Sequence, residues 1–179
     1  MQPGGAHLVA LIPPGSVEAE LGKVQAAIFS ELGLASALAL PPLIPVAFIS
    51  APPARGFLDD LDRSVLAGWR ARAAGIAWVE EWLFLAVDTG GLWDGLRARA
   101  LALAGAAPLC LFPASEGFCL GCVDADPDQR SHIAPMTPEL SFSSCSLAVM
   151  RLESPREEWW REVYWETLEE KPLRGRRKS

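Results

Sequence analysis

Histidine is scarce in this chain, whose 179 residues include only two, His7 and His132. A Ser-His-Asp triad needs an imidazole base, so it has little support, and no Gly-x-Ser-x-Gly motif is present. Glycine pairs at residues 4–5 and 90–91 lack the spacing of a phosphate-binding loop. The sequence therefore argues against a serine hydrolase and against a Gly-rich nucleotide loop.

Long apolar runs are also lacking. No stretch of about 18 uninterrupted apolar residues is present, so the sequence predicts no membrane partner. The first residues contain no basic segment, and Pro13-Pro14 interrupts the next apolar run, which argues against a secretory signal. We therefore expect a cytoplasmic protein whose cysteines are reduced thiols. The cysteines are Cys110, Cys119, Cys122 and Cys145.

Positive charge is scarce outside the C-terminus. The formal net charge is −6, but five of the 16 basic side chains lie in the last nine residues, and the remainder has 22 acidic against 11 basic side chains. A nucleic-acid-binding domain usually presents a basic face, so RNA is a weakly supported partner. We expect one domain, residues 1–173, followed by a solvated basic tail, residues 174–179.

Half of the residues are hydrophobic, which is enough for a sizeable core. Short apolar runs predict strands, and apolar residues recurring every three or four positions predict helices. The predicted strands are residues 7–12, 37–40, 46–49, 82–87, 109–112, 118–123 and 145–152. The predicted helices are residues 16–32, 57–74 and 92–103. After a polar loop over residues 124–142, residues 156–173 are predicted to form a short helix and an edge strand. The order indicates an α+β fold with helices laid on a sheet.

Three stretches carry a resemblance to a known family. They are HLVALIPP at residues 7–14, the strand and helix at residues 83–103, and CSLAVMRLE at residues 145–153. They resemble the 2H phosphoesterase superfamily, best known through the bacterial 2'-5' RNA ligase-like, or RNA 2',3'-cyclic phosphodiesterase, family. The resemblance implies a bilobal, pseudo-symmetric fold of antiparallel or mixed sheets flanked by helices. It also implies a His-x-Thr or His-x-Ser motif on a strand of each lobe, facing a shared groove.

Both motifs lack histidine here. The resemblance places the first on residues 45–47, Pro-Val-Ala, and the second on residues 117–119, Gly-Phe-Cys. Proline and glycine cannot transfer a proton, alanine cannot donate a hydrogen bond from its side chain, and a thiol is a weak donor. We therefore hypothesise that the cyclic phosphodiesterase reaction is lost, and we expect no catalytic residue, metal or cofactor. The degenerate positions are Pro45, Ala47, Gly117 and Cys119.

A retained groove predicts binding of a nucleotide or another phosphorylated small molecule. His7 and His132 are further groove candidates. His132 lies in Ser-His-Ile-Ala at residues 131–134, a faint second match to the motif, whereas His7 is more readily interpreted as a packed strand residue. Side chains able to contact a phosphate are Arg63, Arg70, Arg72, Arg151 and Lys171.

Two alternatives stay open. An active phosphoesterase or other hydrolase that has recruited Cys119 or His132 predicts an accessible thiol of lowered pKa. A structural or interaction protein predicts a groove filled by side chains and assembly through aromatic surface. Cys119 and Cys122 also form a Cys-x-x-Cys motif, but on a regular strand they would point to opposite faces. We therefore interpret them as core or cleft thiols and not as zinc ligands.

Overall fold

The computed structural model describes residues 6–33, 36–50, 53–63, 65, 68–108, 110–122, 132–133, 137–154 and 163–174. The strands in this part of the chain are β1 (Ala6–Ile12), β2 (Ile44–Ile49), β3 (Ala71–Val79), β4 (Trp82–Asp88), β5 (Gly117–Cys122), β6 (Ser141–Phe142), β7 (Ser144–Glu153) and β8 (Tyr164–Arg174). The helices are α1 (Gly15–Leu32), α2 (Ser36–Ala39), α3 (Phe57–Asp62) and α4 (Leu92–Ala104).

The strands form two antiparallel four-stranded sheets. The first has the order β2-β1-β7-β8 and the second β5-β4-β3-β6. Only Ser143 separates β6 from β7, so one bent segment belongs to both sheets. The predicted α+β fold with two lobes and flanking helices is confirmed.

Two apolar clusters divide the core. The helix-side cluster contains the inner stripes of α1 and α4, because apolar residues at helical spacing share one face. It packs those stripes against one face of both sheets. The cleft-side cluster lies on the other faces, and no residue of α1, α3 or α4 belongs to its described members. Its buried members are Leu8, Ala10, Leu40, Leu43, Phe48, Trp82, Phe84, Phe112, Cys119, Ala148, Met150 and Leu152.

Most predicted elements agree with the structure within two residues, including α1, which ends at Leu32 and is followed by Gly33 in the left-handed region (φ 69°). The predicted strand at residues 37–40 is wrong, because residues 36–39 form α2. Alanine and leucine favour helix, and four residues are too few for periodicity to decide. The predicted edge strand at the C-terminus is confirmed as β8, whereas the helix predicted before it falls on residues outside the described part.

The predicted helix over residues 57–74 is also wrong. The structure has α3 over Phe57–Asp62 and then β3 from Ala71. Gly68 has a positive φ of 78°, a backbone conformation that does not continue a helix. Trp69 and Ala71 are buried in the helix-side cluster. Packing of these two residues overrides the helical spacing of the sequence.

The predicted strand at residues 109–112 is replaced by an irregular segment over residues 110–112. Pro108 and Pro113 flank it, and proline lacks the N–H that a sheet ladder requires. At the end of the predicted polar loop, residues 141–142 form β6 instead. No helix in the described residues combines the length and apolar character needed to span a membrane.

Candidate functional site

The two motif positions lie on the edge strands β2 and β5, one from each sheet. All six residues of β2 are buried, as are the first five of β5. Helices cover both edges. The indole Nε1 of Trp93 on α4 donates to the carbonyl of Pro45 at 2.9 Å, and Arg97 donates to the carbonyl of Val46 at 2.9 Å. Ser36 Oγ on α2 donates to the carbonyl of Cys122 at 2.6 Å. Backbone acceptors at both motif strands are therefore already used within the chain.

Pro45 and Ala47 do not share a face of β2. Pro45 pairs with Ala10, a member of the cleft-side cluster, whereas Ala47 pairs with Val9 and lies in the helix-side cluster. The register shifts between these pairs, which leaves Val46 as the extra residue of a β-bulge. The first motif position therefore turns Pro45 toward the cleft and Ala47 away from it.

Leu43, directly before β2, also belongs to the cleft-side cluster. Leu43 and Pro45 are therefore two residues apart, as the histidine and threonine of a His-x-Thr motif are, and both lie on the cleft side of the first sheet. Sequence reasoning missed this because the bulge at Val46 has no sequence signal. Neither side chain can transfer a proton or donate a hydrogen bond.

Gly117 and Cys119 do share a face. They pair with Ala86 and Phe84, two residues apart on β4, and no register shift falls between them. A Cβ atom on Gly117 would lie 2.6 Å from the carbonyl oxygen of Leu85 and 3.0 Å from the Cα of Ala86. These are backbone atoms in a sheet, so they cannot rotate away as a side chain can. Position 117 therefore excludes histidine along with every other side chain unless the strands move.

Among the described residues, aromatic side chains pack together between the two sheets. Phe112, from the irregular segment before β5, is 2% exposed. Its ring centroid lies 5.1 Å from Phe48 of the first sheet and 5.8 Å from Trp82 of the second. Trp165 of β8 lies 6.3 Å from the same ring. Phe112 thus lies between the two sheets and contacts both. The apolar run that contains it did not predict this position.

Cys119 is 2% exposed in the cleft-side cluster. Burial raises the pKa of its thiol far above the ordinary value, and the neighbouring Cys122 thiol adds to this rise, whereas the N–H of Gly121 opposes it. A nucleophilic cysteine needs the opposite, an accessible thiol of lowered pKa. The geometry therefore disfavours Cys119 as a recruited nucleophile.

The structure does not bring the histidines to the motif positions. His7 pairs with Ile49 and Arg151, and Ile49 lies in the helix-side cluster, so His7 occupies the face opposite the cleft. His132 is exposed, and the next residue, Ile133, is buried in the helix-side cluster.

Three of the five predicted phosphate donors are held in ion pairs by acidic residues of this chain. Arg63 contacts Asp60 at 3.1 Å. Arg151 contacts Glu153 at 3.3 Å and Glu166 at 2.7 Å, and Lys171 contacts Asp59 at 2.6 Å and Asp62 at 3.0 Å. Arg70 and Arg72 are exposed. Arg63 directly follows α3, Arg70 and Arg72 lie before and on β3, and Arg151 and Lys171 lie on β7 and β8, so none of these bases lies on the motif strands β2 and β5.

A polar network that sequence reasoning missed precedes the second motif position. Glu116 accepts hydrogen bonds from the backbone N–H of Thr89 at 2.8 Å and from its hydroxyl. The same hydroxyl accepts from the N–H of Trp93 at 3.0 Å, in the first turn of α4. This network fixes the start of β5 against the turn before α4, so it positions Gly117.

Cys119 and Cys122 lie on the same face of β5, contrary to the expectation for a regular strand. They pair with Phe84 and Trp82, and the register shift beside Phe84 leaves Leu120 as the extra residue of a bulge. Zinc needs further ligands, and the described residues contain no group of three or more His, Cys, Asp or Glu side chains able to hold a metal ion. The pair is therefore a dithiol and not part of a described metal site.

Comparison with solved structures agrees with this architecture. The protein TT0787 of Thermus thermophilus matches with a TM-score of 0.63 and 21% sequence identity, over 95% of this chain and 98% of that protein. Escherichia coli LigT, solved in complex with 3'-AMP, matches with a TM-score of 0.56 and 14% identity, over 95% of this chain and 99% of LigT. The chain has a 2H phosphoesterase-like fold.

This 2H phosphoesterase-like fold is what the sequence resemblance predicted. No family model matches the sequence, and no match was found among curated proteins. The similarity to the two solved structures is one of fold, because sequence identity is only 21% and 14%.

Proposed function

We propose that this protein is a degenerate 2H phosphoesterase-like protein without cyclic phosphodiesterase activity, whose cleft is closed by its own side chains. The observation that carries the proposal is Phe112, buried between the sheets in contact with Phe48 and Trp82. Acid–base transfer needs two titratable groups near neutrality beside the phosphate. The motif positions of the resemblance supply Pro45, Gly117 and a buried thiol instead.

A turnover assay tests the loss of activity. The purified protein is incubated with 2',3'-cyclic AMP and product is followed by chromatography, beside a catalytically competent 2H phosphoesterase under the same conditions. We expect no product above the buffer background. Turnover that disappears in Cys119→Ala or His132→Ala would instead support an enzyme with a recruited residue.

Nucleotide binding is the second candidate, because LigT shares this fold and was solved with 3'-AMP. In this chain a ligand between the sheets would have to displace Phe112, and three of the predicted phosphate-binding cations would have to leave their ion pairs. The acidic composition weakens the RNA version of this proposal further.

Titration with 3'-AMP by calorimetry separates the two candidates. With a closed cleft we expect a Kd above about 1 mM for the wild type, weaker than about −4 kcal/mol. Saturable binding well below that concentration, competed by 2'-AMP, would favour the nucleotide candidate. Phe112→Ala provides the comparison, because binding by that variant alone would show that Phe112 occupies the ligand's place.

The filled cleft also matches what the third alternative, an interaction protein, predicts. Light scattering tests it, because assembly requires a mass above the 19.3 kDa of one chain.

The cytoplasmic location and the single domain over residues 1–173 remain predictions from the sequence. The strand β8 extends to Arg174, and residues 175–179 of the predicted tail lie outside the described residues.

A further inference from the structure

The bulge in β5 is fixed by a close approach of α2. Gly121 has a φ of 144°, which side-chain-bearing residues rarely adopt. A Cβ atom there would lie 3.1 Å from both the backbone nitrogen of Ala37 and the Oγ of Ser36. Ser36 also donates to the carbonyl of Cys122 at 2.6 Å. Packing against α2 therefore holds the conformation that places Cys119 and Cys122 on one face.

The spacing across the bulge is close to that of a disulfide. The partners Phe84 and Trp82 are two residues apart on a regular strand, which is about 7 Å between Cα atoms. Disulfides usually join Cα atoms about 4.4–6.8 Å apart. The cysteines opposite these partners, Cys119 and Cys122, thus need only a small movement to bond.

The two thiols differ in access. Cys119 is 2% exposed, whereas Cys122 is half-buried, and both belong to or pack against the cleft-side cluster. A reagent from solvent therefore meets the sulfur of Cys122 first. Cys119 has the position of the internal thiol that attacks second.

We propose that Cys119 and Cys122 form a reversible intrachain disulfide by reaction with a small-molecule disulfide. Cys122 loses its proton, and the resulting thiolate attacks one sulfur of the reagent. The S–S bond of the reagent breaks, and the small thiolate that leaves takes up the proton that Cys122 lost. The sulfur of Cys119 then attacks that of Cys122, the mixed disulfide breaks, and the second small thiol leaves with the proton of Cys119. The protein loses two hydrogen atoms and the reagent gains them.

Burial of Cys119 disfavours its thiolate, so the second step is the slow one. The mixed disulfide at Cys122 is therefore expected to accumulate before the ring closes. This order distinguishes the internal pair from Cys110, which is exposed.

Intact-mass spectrometry tests the proposal on the full chain with Cys110→Ser, which removes the exposed thiol. The protein is treated with oxidised glutathione, quenched with N-ethylmaleimide and digested for peptide mapping. We expect a glutathione adduct at Cys122 that converts to a product lacking two alkylatable thiols and linking Cys119 to Cys122. Dithiothreitol should restore both thiols.

The control variants decide the pathway. With Cys119→Ala in the same background, the reaction should stop at the glutathione adduct, and with Cys122→Ser no adduct should form at Cys119. A glutathione adduct that never closes in the Cys110→Ser protein, the absence of any reaction, or a disulfide to Cys145 would each overturn the proposal. Circular dichroism of each variant verifies that it has folded.

Discussion

The edge strands β2 and β5 occupy corresponding places in the two sheets, yet their bulges fall at different points. In β2 the extra residue is Val46, inside the first motif position, so Pro45 and Ala47 face opposite ways. In β5 the extra residue is Leu120, which comes just after the second motif position, so Gly117 and Cys119 stay on one face. A one-residue shift reverses the face of every later side chain, so bulge position decides which residues reach the cleft.

The comparison shows two different reasons why neither strand presents a proton-transferring side chain at the positions that the resemblance assigned to the motifs. On β2 the carbonyl groups are engaged by Trp93 and Arg97, and the cleft-facing residue is proline. On β5 the strands approach so closely that position 117 has no room for a side chain. Phe112 packs between the two sheets, against Phe48 and Trp82. If our proposal of a closed cleft is correct, two histidines introduced at these positions would not by themselves create a groove.

The largest expected effect comes from removing the aromatic contact between the sheets. Phe112→Ala deletes a ring that touches Phe48 and Trp82, and leaves a cavity in a packed cluster. Such a change costs about 4 kcal/mol of unfolding free energy. Urea unfolding followed by circular dichroism measures it. Phe29→Ala is the matched control, because Phe29 is 43% exposed and should change the unfolding free energy by less than about 0.5 kcal/mol. Equal effects would show that Phe112 does not fill a packed cleft.

Position 117 should give the next largest effect. Gly117→Ala places a Cβ against the carbonyl of Leu85 and forces β4 and β5 apart, at a cost of about 3 kcal/mol. The control is Gly22→Ala in α1, where no atom lies within 4 Å of the added carbon and alanine should stabilise the helix by about 0.5–1 kcal/mol. Thermal unfolding of the three proteins should therefore show shifts of opposite sign. A neutral Gly117→Ala would mean that position 117 can accept a side chain after all.

The sequence was sufficient for the parts of this comparison that depend on local pattern. The stripes of α1 and α4 and the apolar runs of β1, β4, β5 and β7 predicted those elements, because periodicity and terminal glycines act over a few residues. The resemblance also predicted the fold. Its placement of the two motifs on residues 45–47 and 117–119 stays a prediction.

The remaining features depend on contacts between distant segments. The bulge at Leu120 follows from the approach of α2 to Gly121, more than 80 residues away along the chain. Phe112 lies in a run that reads as a strand, and only the space between the sheets makes it a core residue. The 57–74 helix failed for the same reason, since burial of Trp69 and Ala71 outweighed local spacing. Tertiary packing of this kind leaves no short-range signal.

Smaller effects should distinguish the helix contacts at the two edges. Trp93→Phe removes the hydrogen bond to the carbonyl of Pro45, and Ser36→Ala removes the one to Cys122. Each should cost about 1 kcal/mol, because a carbonyl in a part-buried hydrogen bond loses its donor. Ser50→Ala is the control, since its exposed hydroxyl bonds the carbonyl of Ala104 at 2.8 Å and water can replace it. If Ser50→Ala costs as much as the other two, these contacts have no special role at the motif strands.

The smallest effect belongs to the opposite edge of the first sheet, where ion pairs between β8 and α3 add to the apolar cluster that Leu173 shares with Leu58 and Leu61. Lys171 lowers the pKa of Asp59 through a hydrogen bond and its charge, and Asp59 and Asp62 raise the pKa of Lys171. A lowered carboxyl pKa adds stability above the ordinary value of 3.8 that is lost as pH falls through the folded value. The raised lysine pKa adds stability below 10.5 that is lost as pH rises through its folded value.

Asp59→Asn should therefore destabilise the protein slightly at pH 7 and not at pH 2, and 1 M salt should shrink the difference because these side chains are exposed. Asp60→Asn, which leaves the contacts of Lys171 intact, is the control, and a destabilisation by Asp59→Asn that is unchanged at pH 2 would show that packing and not charge holds this edge.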